Sequence, residues 1–298
     1  MMNMMNLGNY KKLILIYAVS ALFIGCSKKD AGSGGTITPP PPPPPTPTAT
    51  TCIVSGVSQI NSGNKSEAAL TAFYDNNLNV TRLLIFDSVS NIKRFDVNLN
   101  YVTTDSIMLD AYQYFRLDAG KRVTLFVTKS DLKNPSTSDD YRFEYFYNTQ
   151  GYLESKNLFI NRSKLPNFRT AYTYSNNLVT KCVMTAVSSG NLKVLESDLI
   201  YNTSLNIKTW MYTFPDALEG YMYFTVLNFG NRPTNPLQQV TTKIYNTSTG
   251  AVLDTWITNY SGYKVDSNGY LTYGIASGDL QQGMAMFYGK TNFYYLCH

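Results

Sequence analysis

The chain has 298 residues, with 25 Lys and Arg against 20 Asp and Glu, and its formal charge of +5 is spread without basic clusters, so it offers no charged track for nucleic acid. Its 24 Tyr and 15 Phe, with abundant Thr, Val and Asn, favour strands and turns over helices. The single histidine, His298, stands at the last position, which leaves Ser-His-Asp, Cys-His and histidine-based zinc chemistry without a base or ligand in the body of the chain.

Residues 1–25 read as a secretion signal. Lys11 and Lys12 supply the positive start, and the apolar run Leu13 to Gly25 is shorter than the roughly 20 residues a membrane-spanning helix needs. Its end, Phe23-Ile24-Gly25-Cys26, resembles the lipobox of bacterial lipoproteins, with Phe23 where Leu is usual. The resemblance implies that Cys26 is acylated and becomes the new N-terminus. Two or three acyl chains hold far more tightly than one, because each buried methylene adds about 0.8 kcal/mol. Loss of the signal removes Lys11 and Lys12 and lowers the formal charge to +3. Ser27-Lys28-Lys29-Asp30 resembles the short charged stretch that marks surface export in lipoproteins of Bacteroidota.

Residues 26–51 form a tether. Gly32-Ser33-Gly34-Gly35 and seven consecutive prolines, Pro39 to Pro45, cannot build a core; the prolines favour a polyproline II spacer on the order of 30 Å. The folded domain is expected over 52–298. Cys52 and Cys297 stand at its two ends, and domain termini are often neighbours, so one expectation is a Cys52–Cys297 disulfide and the other is three free thiols, with Cys182 buried in the strand-like run Leu178 to Met184.

From residue 70 onward a degenerate motif recurs: an aromatic or apolar pair, then Asp, Asn or Ser, a short polar turn, and an apolar strand. Its copies begin at Phe73, Phe115, Phe146, Tyr172, Ile244 and Lys264, as in Phe146-Tyr147-Asn148-Thr149-Gln150-Gly151-Tyr152-Leu153. Each reads as a hairpin corner, because an Asp or Asn side chain can close a turn on its own backbone and a later Gly or Asn tolerates positive φ. Tyr141 to Tyr145 and Val123 to Val127 alternate with period two, whereas Tyr221 to Leu227 is apolar on both faces and reads as a central strand. Leu132 to Asp140 and Asn161 to Phe168 read as longer surface loops. The expected fold is all-β: a long antiparallel meander of hairpin repeats, curled into a barrel-like or sandwich shape to cover its apolar face.

The hairpin pattern resembles the tyrosine-aspartate repeats of large bacterial surface proteins. It also resembles a family of Bacteroidota lipoproteins with a porin-like fold, most closely through Phe229-Gly230-Asn231-Arg232-Pro233-Thr234-Asn235-Pro236 and Val265-Asp266-Ser267-Asn268-Gly269-Tyr270. That family brings no catalytic residues. Asp87-Ser88-Val89 and Asp105-Ser106-Ile107 resemble the sequon that Bacteroidota O-glycosylate, which implies modification at Ser88 and Ser106.

No nucleotide-binding, cofactor or metal motif is present, so no cofactor and no metal site is expected. The expected function is a non-enzymatic binding or structural module. It is held in the outer membrane by its lipid and displayed at the cell surface or on the periplasmic face, with a carbohydrate or protein partner. The alternative is a carbohydrate-active accessory hydrolase that uses a carboxylate pair, for which Glu67, Glu144, Glu154, Glu196, Glu219 and the aspartates are the supply. An integral outer-membrane barrel ranks last, because a barrel already in the bilayer gains little from an anchor and a spacer.

Overall fold

A computed structural model describes residues 51–60, 66–88, 91–209, 221–279 and 289–297. The signal segment, Cys26, the tether up to residue 50 and His298 lie outside the described residues. The strands are β1 (Cys52–Ile60), β2 (Ser66–Tyr74), β3 (Val80–Asp87), β4 (Ile92–Asn98), β5 (Asn100–Thr103), β6 (Ser106–Met108), β7 (Tyr114–Leu117), β8 (Val123–Lys129) and β9 (Asp140–Tyr147). They continue with β10 (Leu153–Ile160), β11 (Phe168–Ser175), β12 (Leu178–Ala186), β13 (Leu192–Tyr201), β14 (Leu237–Tyr245), β15 (Val252–Val265), β16 (Leu271–Gly278) and β17 (Gly289–Cys297).

Consecutive strands pair antiparallel, and β17 returns to pair with β1 from Cys52↔Cys297 to Ile60↔Lys290, so the meander closes on itself as a nearly complete barrel. Among the described residues, its seam lies at Leu99. Here β4 pairs with β3 while β5 pairs with β6, so one bent strand changes partner in the middle. Closure leaves few bare strand edges, which are the usual liability of a long open sheet.

All six copies of the repeated motif fall at hairpin corners, five of them at the end of the barrel where β1 begins and β17 finishes. The side chain of Asp75 accepts from the backbone N–H groups of Asn77 and Asn79 (both 2.9 Å), and Asn148 does the same for Gln150 and Tyr152 (both 3.0 Å). Asp266 closes its turn on Asn268 and Tyr270 (2.9 and 2.8 Å). At the Tyr172 copy the turn residues Asn176 and Asn177 have φ of 50° and 64°, the left-handed values that asparagine tolerates.

Five tyrosines near this end of the barrel have a second task. Tyr74 donates its hydroxyl to the carbonyl of Val54 (2.5 Å), Tyr147 to Val123 (2.6 Å), Tyr174 to Leu153 (2.8 Å), and Tyr295 to Leu271 (2.8 Å). Tyr263 reaches Leu237 in the same way (2.5 Å). Each bond joins two strands that no turn connects at this end, so the tyrosines stitch neighbouring hairpins together. Burial raises the phenol pKa of Tyr74, Tyr174, Tyr263 and Tyr295 well above the ordinary value, and raises that of Tyr101 to about 12.

The native chain therefore keeps protons that an unfolded chain loses near pH ~10. Stability from these groups is complete below that value and falls as pH rises through 10 towards 12. The urea midpoint should hold steady from pH 8 to about 9.5 and drop between 10 and 12. A flat midpoint across that window would contradict the assignment.

The connection from β13 to β14, residues 202–236, corrects one expectation. Tyr221 to Leu227 is no strand: Tyr221–Val226 forms a short helix, α1, in which Tyr223, Phe224 and Val226 are buried, as is Leu227 after it. A segment surrounded by protein is apolar on every side whether it is extended or helical, so composition cannot separate the two. The segment is laced to hairpin tips. Val123 donates its backbone N–H to Asn228 (2.8 Å), Asn231 to Gly151 (2.9 Å) and Lys208 to Gly269 (2.6 Å). Gly230, at φ 92°, is required there, since a Cβ would lie 2.4 Å from the Gly151 carbonyl oxygen.

Candidate functional site: the lumen, the wall and the seam

A barrel offers three places for function: the space it encloses, the wall around that space, and any break in the wall. Among the described residues, the enclosed space is packed with side chains. Phe115, Phe143, Leu83, Leu158, Met184 and Leu195 point inward and are almost wholly buried. Tyr223 of α1 enters from the end and packs on Phe115, Phe126 and Phe95, with ring centroids 5.1, 5.5 and 6.2 Å away. Phe224 and Tyr145 close on Phe229 at 4.2 and 5.2 Å. Among the polar groups inside, the Ser197 and Thr242 hydroxyls pair at 2.8 Å. Lys156 is 1 % exposed and its ammonium lies 5.6 Å from the Phe143 ring centroid. Among the described residues, such an interior is a packed core.

The wall is charged. Alternation along each strand puts Arg82, Asp96, Arg142, Glu144, Lys181, Glu196 and Asp198 on the outside, opposite the inward Phe95, Phe143, Tyr145, Cys182 and Leu195. Arg82 grips Asp96 with two donors (2.6 and 2.7 Å). Lys93 adds a third at 3.1 Å. Lys181 reaches Asp198 at 2.9 Å and Glu196 at 3.4 Å, and Arg142 lies 3.3 Å from Glu144. Exposed pairs of this kind add little stability. Their position matters more, because an arginine or lysine facing lipid at mid-membrane costs about 2–4 kcal/mol. Among the wall's exposed apolar residues, Phe73 lies under the Arg82 guanidinium and Phe146 is two residues from Glu144, while Ile200, Ile257 and Tyr294 are exposed on β13, β15 and β17. A membrane-spanning barrel is apolar outside and polar inside. Over β3 to β13 this one has the opposite polarity.

The break is the seam at Leu99. There an open cavity of about 610 Å³ lies between the β2–β3 hairpin and the bent strand, lined by Phe73, Asp75, Arg82, Asn98, Asn100 and Tyr101. The carboxylates around it have structural partners. Asp75 closes its turn and bonds the Asn79 amide at 3.0 Å, which holds its pKa below the usual range, and Asp96 is depressed further by the Arg82 hydrogen bonds. Glu196, between Lys193 and Lys181, is lowered in the same way. A glycosidase needs one carboxyl raised so that it stays protonated. Among the described carboxylates, every resolved shift is downward. No group of three His, Cys, Asp or Glu converges to hold an ion among the described residues.

The residues singled out from the sequence are scattered. Cys26 lies outside the described residues. Cys52 and Cys297 meet at the first β1–β17 pair and are joined by a disulfide. Cys182 is fully buried on the inner face of β12. Ser88 is exposed in the turn after β3, but Ser106 is 3 % exposed at the start of β6 and leaves no room for a glycan in the folded domain. A sequon is a local pattern, and burial is not. The seam had no signal in the sequence, since neither half of the bent strand shows from its residues which neighbour it will choose.

No protein-family model and no curated protein matches the chain. Solved structures do. A porin-like protein from Bacteroides uniformis aligns with a TM-score of 0.55 at 15 % identity, covering 82 % of this chain and 98 % of its own. A porin-like protein from Bacteroides vulgatus aligns with a TM-score of 0.52 at 12 % identity, covering 83 % of this chain and 99 % of its own. Identity this low speaks to architecture, and what the chain has in common with both is a porin-like barrel fold.

Proposed function

We propose that the protein is a lipid-anchored, non-enzymatic binding or structural module of the outer membrane, tethered through Cys26 and carrying its barrel in water. One observation supports this most: the dry, aromatic interior and the ion-paired outer wall suit neither conduction nor insertion. The barrel then depends on its N-terminal segment for anchorage that withstands a carbonate wash. The porin-like neighbours agree with an outer-membrane setting. Either face of that membrane suits the charged wall, and Ser88 is the hydroxyl placed to carry a glycan. The carboxylates already engaged in turns and ion pairs do not favour the hydrolase reading.

Cys26→Ala should move the protein from the membrane pellet to the soluble fraction after a carbonate wash, with its thermal melt unchanged. Wild-type protein should take up labelled palmitate and the variant should not. Retention of the variant in the washed membrane would show that the barrel inserts and would overturn the reading.

A further inference from the structure

The end of the barrel farthest from Cys52 differs in chemistry from the end bearing the tether. Three neighbouring loops there, 130–139, 161–167 and 187–191, are tied to one another. Asn161 donates its side-chain amide to Asp139 (2.8 Å) and accepts the backbone N–H of Asp140 on its side-chain oxygen (3.1 Å). Val187 donates its backbone N–H to Asn167 (3.0 Å). Each loop, or the strand start that follows it, exposes one leucine: Leu132 at 43 %, Leu165 at 71 % and Leu192 at 36 %. A cation stands beside each, as Lys133, Lys164 with nearby Arg162, and Lys193. Lys193 is held by Glu196 at 2.5 Å, whereas Lys133, Arg162 and Lys164 are exposed and enter no ion pair among the described residues; the first loop also carries the exposed acids Asp131, beside Lys133, and Asp139, whose carboxylates accept from the Asn134 and Asn161 amides.

Leucine flanked by exposed lysine is a poor protein-docking surface, because lysine is depleted at protein interfaces and leucine is rarely a hot spot. It is the composition that rests on a lipid surface: the aliphatic side chain enters the headgroup region while the long cationic stems reach phosphate. We propose that this rim is a contact surface for anionic lipid headgroups, with Leu132, Leu165 and Leu192 entering the interface and Lys133, Arg162 and Lys164 meeting the phosphates. The contact does not require acylation of Cys26. A tether of some 25 residues can span at most roughly 80 Å when fully extended, more than twice the roughly 28 Å length of an eight-residue strand, so the anchored domain can lay this rim on a membrane.

The test uses the chain from residue 26 with Cys26→Ser, so that no acyl chain contributes, and co-sedimentation with phosphatidylcholine vesicles with or without 30 % phosphatidylglycerol. Binding is expected to the anionic vesicles and to weaken as salt rises from 0.1 to 0.5 M. Arg162→Glu with Lys164→Glu should reduce affinity at least tenfold, on the scale of roughly fivefold per cation. Leu165→Ser should also weaken it, while Leu78→Ser at the tethered end should leave it unchanged. All variants should keep the parent thermal melt. Absence of binding, equal binding to neutral vesicles, or full binding by the double variant would each overturn the proposal. So would light scattering that shows a dimer lost on the same substitutions, which would assign the rim to a second copy of the chain.

Discussion

Tyr223→Ala is expected to cost about 3–5 kcal/mol of stability, read as a fall in the urea midpoint, and to make the folded protein bind an apolar dye. The ring of Tyr223 is buried against three inward aromatics from three strands, Phe95, Phe115 and Phe126. Its removal leaves a hole that the surrounding ladder is too rigid to close, so the loss combines transfer and cavity terms. Phe146→Ala is the matching test on the other face. Phe146 is 43 % exposed on the outer wall, so its truncation should change stability by less than about 1 kcal/mol. The pair reads the polarity of the barrel directly. In a membrane-spanning barrel the outward aromatic would be the costly one to lose and a lumen residue the cheap one. Equal or reversed effects would show that the interior is not the core.

The contrast also marks how far the sequence reaches. The hairpin corners were legible because their cause is local: an Asp75 or Asn148 side chain needs only its next four residues to close a turn. Period-two alternation in Tyr141 to Tyr145 fixed which residues share a face, since Phe143 and Tyr145 go inward together while Arg142 and Glu144 go outward. The choice between barrel and sandwich was not legible, because it rests on whether β17 meets β1, a pairing between residues at opposite ends of the domain. The same holds for the interior helix. Tyr221 to Leu227 carries no turn signal or polar face to tell a ladder strand from a plug, and only contact with Phe115 and Phe126 decides. The tyrosine stitches lie between these extremes. The repeat announced an aromatic or apolar pair before each turn, with Tyr74, Tyr147 and Tyr174 among them, but each partner carbonyl belongs to a strand connected only at the far end, so the hydroxyl's role needed the third dimension.

Reduction of the Cys52–Cys297 bond is expected to lower the thermal midpoint while the barrel still folds. The two residues face each other at the first pair of the β1–β17 ladder and are 245 residues apart in sequence. In the native state the ladder already holds both ends in register, down to Ile60↔Lys290, so the covalent link adds little there. It acts on the unfolded chain, where it removes the entropy of a very long open loop. The chain-entropy model sets its contribution at about 5 kcal/mol, an upper figure because measured effects often fall short. Closing β17 on β1 is also the longest-range pairing in the fold, so the link should speed refolding by making that pairing nearly intramolecular in the local sense. Cys52→Ala with Cys297→Ala should reproduce the loss under oxidising conditions, and adding reductant to the double variant should change nothing further. Protein purified from an oxidising compartment should gain two alkylation sites after reduction. Equal melting with and without reductant, or cysteines that alkylate before reduction, would show that the ladder alone closes the barrel.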